Sequence, residues 1–327
     1  MNYRTLGRTG LRVSEIGFGC WAIGGPYKIK GIPIGWGPVD DRQSLQAIAR
    51  ALDLGVNFFD TADSYGFGHS ETILGQALAG KRPSVIIASK VGNVALPDRP
   101  HRKDSSASHI LQTCERSLQR LKTDYLDLYQ LHNPPMEKLW SSDAPEALAR
   151  LQSEGKIRHY GVSISHPSEG EQIIEKNFGS TLQVLFNVLN QKPADGLFGL
   201  ARRSNYGIIA RVPLASALLT GKIRSFDFHP QDNRNNFLSP KRLQDVLPKV
   251  DRYLELCQGH RLKPVPAALQ FVLAHPAVST AIPGAKTEQQ VSENVSAGAA
   301  RLPPSLLQSL REEFRGYNFY LRYGIPI

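Results

Sequence analysis

Several structural devices are scarce or missing in this sequence. Its 327 residues hold three cysteines, Cys20, Cys114 and Cys257, with no CxxC pair. That count excludes a disulfide framework and speaks against a zinc site, and it fits a reducing, intracellular setting. No apolar run approaches the ~20 residues that a membrane helix requires. The opening Met1-Asn2-Tyr3-Arg4-Thr5-Leu6-Gly7 is not followed by a segment of signal-peptide type. The expectation is a cytoplasmic protein with no membrane association. Acidic residues are outnumbered, 29 Asp and Glu against 39 Lys and Arg, for a formal net charge of +10. The cations are nevertheless scattered, and the pair Lys81-Arg82 stands beside a proline as loop residues do. With no basic strip, nucleic acid is not expected as a partner. The excess charge reads as solvated surface, or as attraction for a small anionic partner.

What the sequence does contain is alternation. With 41% hydrophobic residues, a chain this long buries a large core unaided. Strand-like runs are expected over 13–20, 56–61, 85–91, 125–131, 158–163, 182–189, 208–214 and 278–283. Helical spacing is expected between and after them, over 41–54, 70–78 (with Ser70 as its cap), 105–121, 144–154, 168–177, 197–204, 241–260, 266–275, 287–297 and 304–314. Eight strands, each followed by helix, imply a parallel sheet closed on itself. An open dinucleotide-binding sheet would instead show a third glycine after Gly17-Phe18-Gly19. The expected fold is a single (β/α)₈ TIM barrel over residues 1–327, with an N-terminal hairpin over 4–13 that plugs its bottom and extra C-terminal helices. Two long connections stand out. The Gly/Pro/Trp-rich 25–40 is expected to arch over the rim, and 215–240 to form a large functional loop.

In such a barrel, chemistry belongs to the C-terminal strand ends. The second strand ends at Asp60, followed by Thr61-Ala62-Asp63-Ser64-Tyr65-Gly66; the third ends at Ser89-Lys90, the fourth at His132-Asn133 and the fifth at Ser163. A lysine closing an apolar strand needs a partner, and Asp60 is the natural one. A cation beside a phenol favours the phenolate, so Lys90 is expected to lower the Tyr65 pKa and fit it for acid–base work. His132 would orient a carbonyl oxygen or share the proton. Singly each of these residues has an ordinary structural explanation; their convergence on one rim does not.

The run 60–66 with Ser70-Glu71 resembles the first signature of the aldo-keto reductases. The resemblance continues through Leu6-Gly7-Arg8-Thr9-Gly10, Ile87-Ala88-Ser89-Lys90-Val91, Leu126-Asp127-Leu128-Tyr129-Gln130-Leu131-His132, Gly155-Lys156-Ile157-Arg158, Gly161-Val162-Ser163, Leu219-Thr220-Gly221-Lys222 and Ile282-Pro283-Gly284-Ala285-Lys286. It covers essentially the whole chain. It implies an oxidoreductase that transfers a hydride between nicotinamide C4 and a carbonyl or alcohol carbon, without a metal. Tyr65 would be the general acid, Lys90 and Asp60 its tuning pair, and His132 the carbonyl-positioning group. Ser163 and Gln183 would hold the carboxamide, with Gly19, Cys20 and Trp21 beside the ring and Asp60 near it. Arg211, Pro213, Leu214, Ser216, Gly221 and Lys222 would follow the nucleotide along the seventh-strand loop. Gly284, Lys286, Gln290, Glu293 and Asn294 would hold its phosphate and adenine end, with Lys286 favouring NADPH/NADP⁺ over NADH. Trp21, Trp36, Tyr65, His132 and Asn133 would line the substrate pocket for a small carbonyl or alcohol compound, and Phe226, Phe228 and Phe237 are further candidates for its mouth.

The chain departs from the family pattern at Ile164, where Asn is common, at Phe186, where Tyr is common, and at Ala217, where Gly is common. It also carries Arg211 where other members place an aromatic residue that stacks on the nicotinamide. The resemblance also admits a regulatory alternative, a nucleotide-binding subunit with little turnover.

Overall fold

The computed structural model describes residues 1–325 and, apart from residues 95, 96 and 99–101, their side chains. Eight parallel strands form one sheet: β1 (Phe18–Gly19), β2 (Phe58–Asp60), β3 (Ile86–Val91), β4 (Leu126–His132), β5 (Ile157–Ser163), β6 (Thr181–Leu185), β7 (Gly207–Arg211) and β8 (Val278–Ala281). They run in spatial sequence from first to last, each paired with the next. Parallel bridges Ile16↔Ala281 and Gly19↔Gly284 join the ends, so the sheet closes into a (β/α)₈ barrel. Gly19 is required at that seam, because a Cβ there would lie 2.8 Å from the Ile282 carbonyl oxygen.

Apart from Arg158, His159 and Tyr160 in β5 and His132 at the end of β4, the strands are buried on both faces, as expected where helices cover the outside. The covering helices include α1 (Asp41–Asp53), α2 (His69–Ala77), α3 (Ala107–Leu121), α4 (Ala144–Ser153), α5 (Pro167–Glu175), α6 (Leu197–Arg203), α7 (Pro240–Gly259), α8 (Pro264–Leu273) and α9 (Glu288–Ser296), and α10 (Pro304–Phe314) follows. Their apolar faces join the large cluster outside the sheet. A second cluster inside the barrel joins Phe58, Ala88, Leu128 and Ile209 to Leu6 and Val13. The latter two flank and belong to the opening hairpin, Tyr3–Thr5 paired with Arg12–Ser14, which thus plugs the barrel as expected.

Several expectations need correction. The expected strand 13–20 splits into a hairpin strand and the two-residue β1, and most other strands are shorter than the apolar runs suggest. Ser70 is not a helix cap. Gly68 caps α2, and Ser70 turns inward, its Oγ donating to the Cys20 carbonyl at 2.9 Å and meeting Thr61 Oγ1 at 2.9 Å. Two antiparallel hairpins interrupt strict strand–helix alternation, Tyr27–Ile29 with Ile32–Ile34 and Asn93–Leu96 with Arg99–Lys103. The loop 215–240 carries a short helix, Arg234–Phe237, whose Phe237 is buried in the core rather than at a mouth. A last short helix, Phe319–Arg322, buries Phe319 and Tyr320 beside the barrel. No helix of the described residues is long and apolar enough to cross a membrane.

Candidate active site

Parallel register aligns the strand ends. Gly19 pairs with Asp60, Lys90 with Gln130, His132 with Ser163, and Ser163 with Gln183. Because side chains alternate along a strand, Gln130 and His132 share one face of β4. Lys90 and Asp60 project toward the same point, and there Lys90 is wholly buried and Asp60 only 2% exposed. A buried ammonium requires partners. Lys90 Nζ donates to Asp60 Oδ1 at 2.5 Å, to the Thr61 carbonyl at 2.9 Å and to Tyr65 Oη at 3.1 Å. The other Asp60 oxygen accepts from Gln183 Nε2 at 2.7 Å and Gln130 Nε2 at 3.2 Å. Tyr65 opens the turn Tyr65–Gly68, which four residues separate from the end of β2. That turn needs Gly66, at φ +61°, where a Cβ would lie 1.9 Å from the Gly24 carbonyl oxygen. The His132 ring stands 5.9 Å from the Tyr65 ring at 79°.

Burial by itself would weaken the hold of Lys90 on its proton. Asp60 and Tyr65 outweigh that effect, and the ammonium is held above its ordinary pKa. Burial raises the Tyr65 phenol, while Lys90 and Arg211 pull it down and Asp60 pushes it up; the net shift is upward. The expected lowering is therefore corrected. Lys90 acts in the expected direction, but loss of water around the phenol wins, and Tyr65 holds its proton at neutral pH. Asp63, three residues after Asp60, is raised to about 8 by burial and by Glu71.

The aromatic wall continues outward. Trp21 lies 5.1 Å from Trp36 and 6.1 Å from Tyr65, ring to ring. The arch 25–40 is tied down across the rim. Asn233 N–H donates to the Gly35 carbonyl at 2.8 Å, Asn236 Nδ2 donates to the Pro33 carbonyl at 2.7 Å, and the Arg234 guanidinium lies 4.8 Å over the Trp36 ring. Phe228 packs on Arg234 and Phe226 on Phe228, with Phe226 exposed.

The remaining expected residues fall along a seam from β5 to β8. Ser163 Oγ donates to Asn133 Oδ1 at 2.9 Å, and Gln183 Nε2 donates to Asp60 Oδ2 at 2.7 Å. After Arg211 come Pro213 and Leu214, and Val212, Ala215, Ser216 and Ala217 all take positive φ. A run of strained non-glycine backbone is a mark of functional loops. Ser216 Oγ bonds Tyr320 Oη at 2.8 Å, Gly221 turns the chain at φ +73°, and Lys222 is exposed. Gly284, Ala285 and Lys286 lead into α9. Gln290 Oε1 accepts from the Lys286 N–H at 2.7 Å, Asn294 Nδ2 donates to the Gly284 carbonyl at 3.4 Å, and Glu293 is half-buried beside Asn294. Lys286 Nζ donates to the carbonyls of Trp36 and Pro38, the latter at 3.0 Å. Cys20, whose N–H donates to the Asp60 carbonyl at 2.8 Å, is buried.

Two residues of this rim were not among those read from sequence as site residues. Gln130 is the one uncharged polar side chain in the buried faces of β4 between Asp127 and His132, and that polarity was its signal. Lys103 arrives from the Asn93–Leu96/Arg99–Lys103 hairpin, and its Nζ donates to Asn93 Oδ1 and to the His132 carbonyl, the latter at 2.8 Å. Nothing in the local sequence announces its position.

A closed (β/α)₈ barrel with a buried Asp–Lys–Tyr cluster at its C-terminal rim defines a class, the barrel oxidoreductases. The comparisons carry this further. The sequence profile of the Aldo/keto reductase family matches residues 15–313. The chain is 31% identical to the uncharacterized oxidoreductase YqkF of Bacillus subtilis, over 92% of each sequence. It is 30% identical to the NADH-specific methylglyoxal reductase of Escherichia coli, covering 89% of this chain and 92% of that one. Its fold matches the holo form of aldo-keto reductase AKR11C1 from Bacillus halodurans with a TM-score of 0.79 and 29% identity, over 95% of this chain and 96% of that one. The chain belongs to the aldo/keto reductase family, oxidoreductases that work with nicotinamide cofactors.

Proposed function

We propose that this protein is an NADP(H)-dependent reductase of aldehydes, ketones or sugars, with Tyr65 as general acid. The observation that carries the reading is the single buried ammonium of Lys90 bonded to both Asp60 and Tyr65 Oη. When bound, the nicotinamide dinucleotide supplies the hydride that reaches the carbonyl carbon. Tyr65 donates its phenolic proton to the carbonyl oxygen, giving the alcohol. A phenol held above its ordinary pKa by burial is loaded with that proton at neutral pH. Lys90 stabilises the phenolate that remains, and Asp60, braced by Gln130 and Gln183, fixes Lys90 in place. His132 positions the carbonyl oxygen, and Trp21, Trp36 and Asn133 bound the substrate.

The seam from β5 to β8 fits a dinucleotide. Ser163 and Gln183 hold the carboxamide end beside Gly19, Cys20 and Trp21. Arg211, with its buried Nε unpartnered, the loop residues Pro213, Leu214, Ser216, Gly221 and Lys222, and the group Gly284, Lys286, Gln290, Glu293 and Asn294 follow toward its adenine end. Lys286 favours NADP(H). Its ammonium is bonded to two neutral carbonyls at the start of a nine-residue helix, and a phosphate in their place adds charge pairing. The Escherichia coli relative named for NADH makes that preference the point to measure.

The test is fluorescence titration with NADPH and NADH, then turnover on a panel of aldehydes, ketones and sugars for the native chain and Tyr65→Phe. General-acid catalysis is worth roughly 10²–10⁴-fold, so Tyr65→Phe should lose at least that much kcat while binding NADPH as before. Unchanged turnover in Tyr65→Phe overturns the assignment. Nucleotide binding by the native chain with no turnover on any carbonyl favours the regulatory alternative.

A further inference from the structure

The loop that follows β7 is strained at four places that no glycine relieves. Val212, Ala215, Ser216 and Ala217 take φ of +54°, +50°, +55° and +71°, in the left-handed region that residues with a Cβ avoid. Ala217 stands where the family commonly has the glycine that would fit. Such backbone persists only where its surroundings over-determine it. Bonds within the loop supply part of that hold. The Ala215 N–H donates to the Val212 carbonyl and the Leu218 N–H to the Ala215 carbonyl, both at 3.0 Å. Among the described residues, the N–H groups of Leu214, Ser216 and Ala217 meet no protein acceptor. Successive N–H groups on left-handed backbone form a concavity that suits an anion.

Two side chains brace this loop from outside. Asn187, just beyond β6 and wholly buried, donates from Nδ2 to the Val212 carbonyl at 2.9 Å. Tyr320, 2% exposed, shares a hydrogen bond of 2.8 Å between its Oη and Ser216 Oγ. Ser216 is itself buried, so its hydroxyl needs that partner. Burial holds the Tyr320 phenol above its ordinary pKa, against the pull of Ser216 and Arg211, so the hydroxyl stays neutral. Tyr320 reaches the loop from the short helix Phe319–Arg322, which is docked on the chain beyond β6. The Phe319 N–H donates to the Leu189 carbonyl at 2.9 Å, and Asn318 Oδ1 accepts the N–H groups of Gln191 and Lys192 at 3.1 and 2.9 Å. One segment, 187–192, therefore holds the strained loop directly through Asn187 and also holds the helix that delivers Tyr320.

We infer that Tyr320 is a positioning residue for the nucleotide: its hydroxyl fixes Ser216, and through Ser216 the left-handed run 215–217, in the conformation that receives the nucleotide's diphosphate. The inference rests on the reading of this loop as part of the nucleotide site. The loop lies between the β7 end, on the nicotinamide side, and Lys286 at the adenine end, so the diphosphate that joins the two halves is what it meets. A loop already held in its binding conformation lowers the ordering cost of association. Tyr320 acts through Ser216, and its effect belongs to nucleotide affinity, not to the transfer of hydride or proton.

The test is fluorescence titration of NADPH and NADH against the native chain, Tyr320→Phe, Ser216→Ala and the double variant, with urea unfolding of each. Tyr320→Phe removes one oxygen and keeps the ring in its buried place; Ser216→Ala removes the same bond from the other side. Loss of one hydrogen bond predicts a roughly 3–10-fold rise in Kd in Tyr320→Phe. The rise should be the same for NADPH and NADH, because the diphosphate is common to both. In the Ser216→Ala background the tyrosine substitution should change Kd by less than about twofold, since its partner is already gone. With any carbonyl that the chain turns over, the nucleotide KM should rise and kcat should not fall. A merely structural tyrosine would shift the urea midpoint and leave Kd unchanged. Unchanged Kd in either single variant, a loss confined to NADPH, or an equal effect of Tyr320→Phe with and without Ser216 overturns the inference and leaves the reductase reading standing. If the native chain binds neither nucleotide, the reductase reading itself fails and the inference falls with it.

Discussion

Replacing Lys90 by methionine keeps the length and volume of the side chain and removes one buried charge. Three contacts disappear, to Asp60 at 2.5 Å, the Thr61 carbonyl at 2.9 Å and Tyr65 Oη at 3.1 Å. The Asp60 carboxylate is left in the interior without its counter-ion. Removing one partner of a buried pair costs about 3–5 kcal/mol. Here the lower end applies, about 3 kcal/mol, because Gln183 and Gln130 still donate to Asp60 Oδ2 at 2.7 and 3.2 Å. Asp60→Asn strands the ammonium instead and should cost a similar amount. The double variant buries no charge at all and keeps an amide oxygen for the two glutamines. It should therefore lie about 2 kcal/mol or more above the sum of the single losses. Urea unfolding of the four chains at pH 7 reads this directly, as midpoint shifts at constant slope, and needs no activity. A Lys90→Met loss below about 1 kcal/mol, or a double variant that merely adds the two single losses, would refute the claim that the pair is held as a unit.

Lys286→Ala should weaken NADPH far more than NADH in fluorescence titration; equal loss for both would remove Lys286 from the 2′-phosphate. Asp63 holds its proton up to about pH 8 in the folded chain, whereas in the unfolded chain it ionises near pH 4. Folded stability from this group is therefore complete below about pH 4 and is lost as pH rises through about 8. Asp63→Asn should flatten that decline, so its urea midpoint should gain on the native chain between pH 5 and 9, and parallel curves would contradict the assignment. The loss expected of Tyr65→Phe is kinetic, and its urea midpoint should change less than that of Lys90→Met.

Much of the rim was legible because a strand end can be read from where an apolar run stops. Asp60, Lys90, His132 and Ser163 each close such a run, and the barrel rule then puts them at one end of the sheet. Other features followed from forces that no local pattern expresses. Ser70 looks like a helix cap beside an acidic residue, but Gly68 turns the chain two residues earlier and the serine goes inward to Cys20. Tyr65 next to a lysine suggests a lowered phenol pKa, yet the phenol is desolvated by elements brought from β1, β3 and the arch, and burial outweighs the charge. Gln130 and Gln183 are separated by 53 positions and meet only because β4, β5 and β6 run in parallel register.

The sequence alone determined the alternation of buried strands and amphipathic helices, the closed parallel barrel it entails, and the polar residues at the strand ends, because these depend on periodicity and on where apolar runs stop. Only the tertiary structure decided which partners those residues have. It joined Lys90 to Asp60 and Tyr65, braced Asp60 with two glutamines, tied Lys286 to the arch, and brought Lys103 from a hairpin to the His132 carbonyl. The physical reason is distance. Hydrogen bonds and charge pairing act within a few ångströms, and for residues tens of positions apart that proximity is set by how the barrel closes.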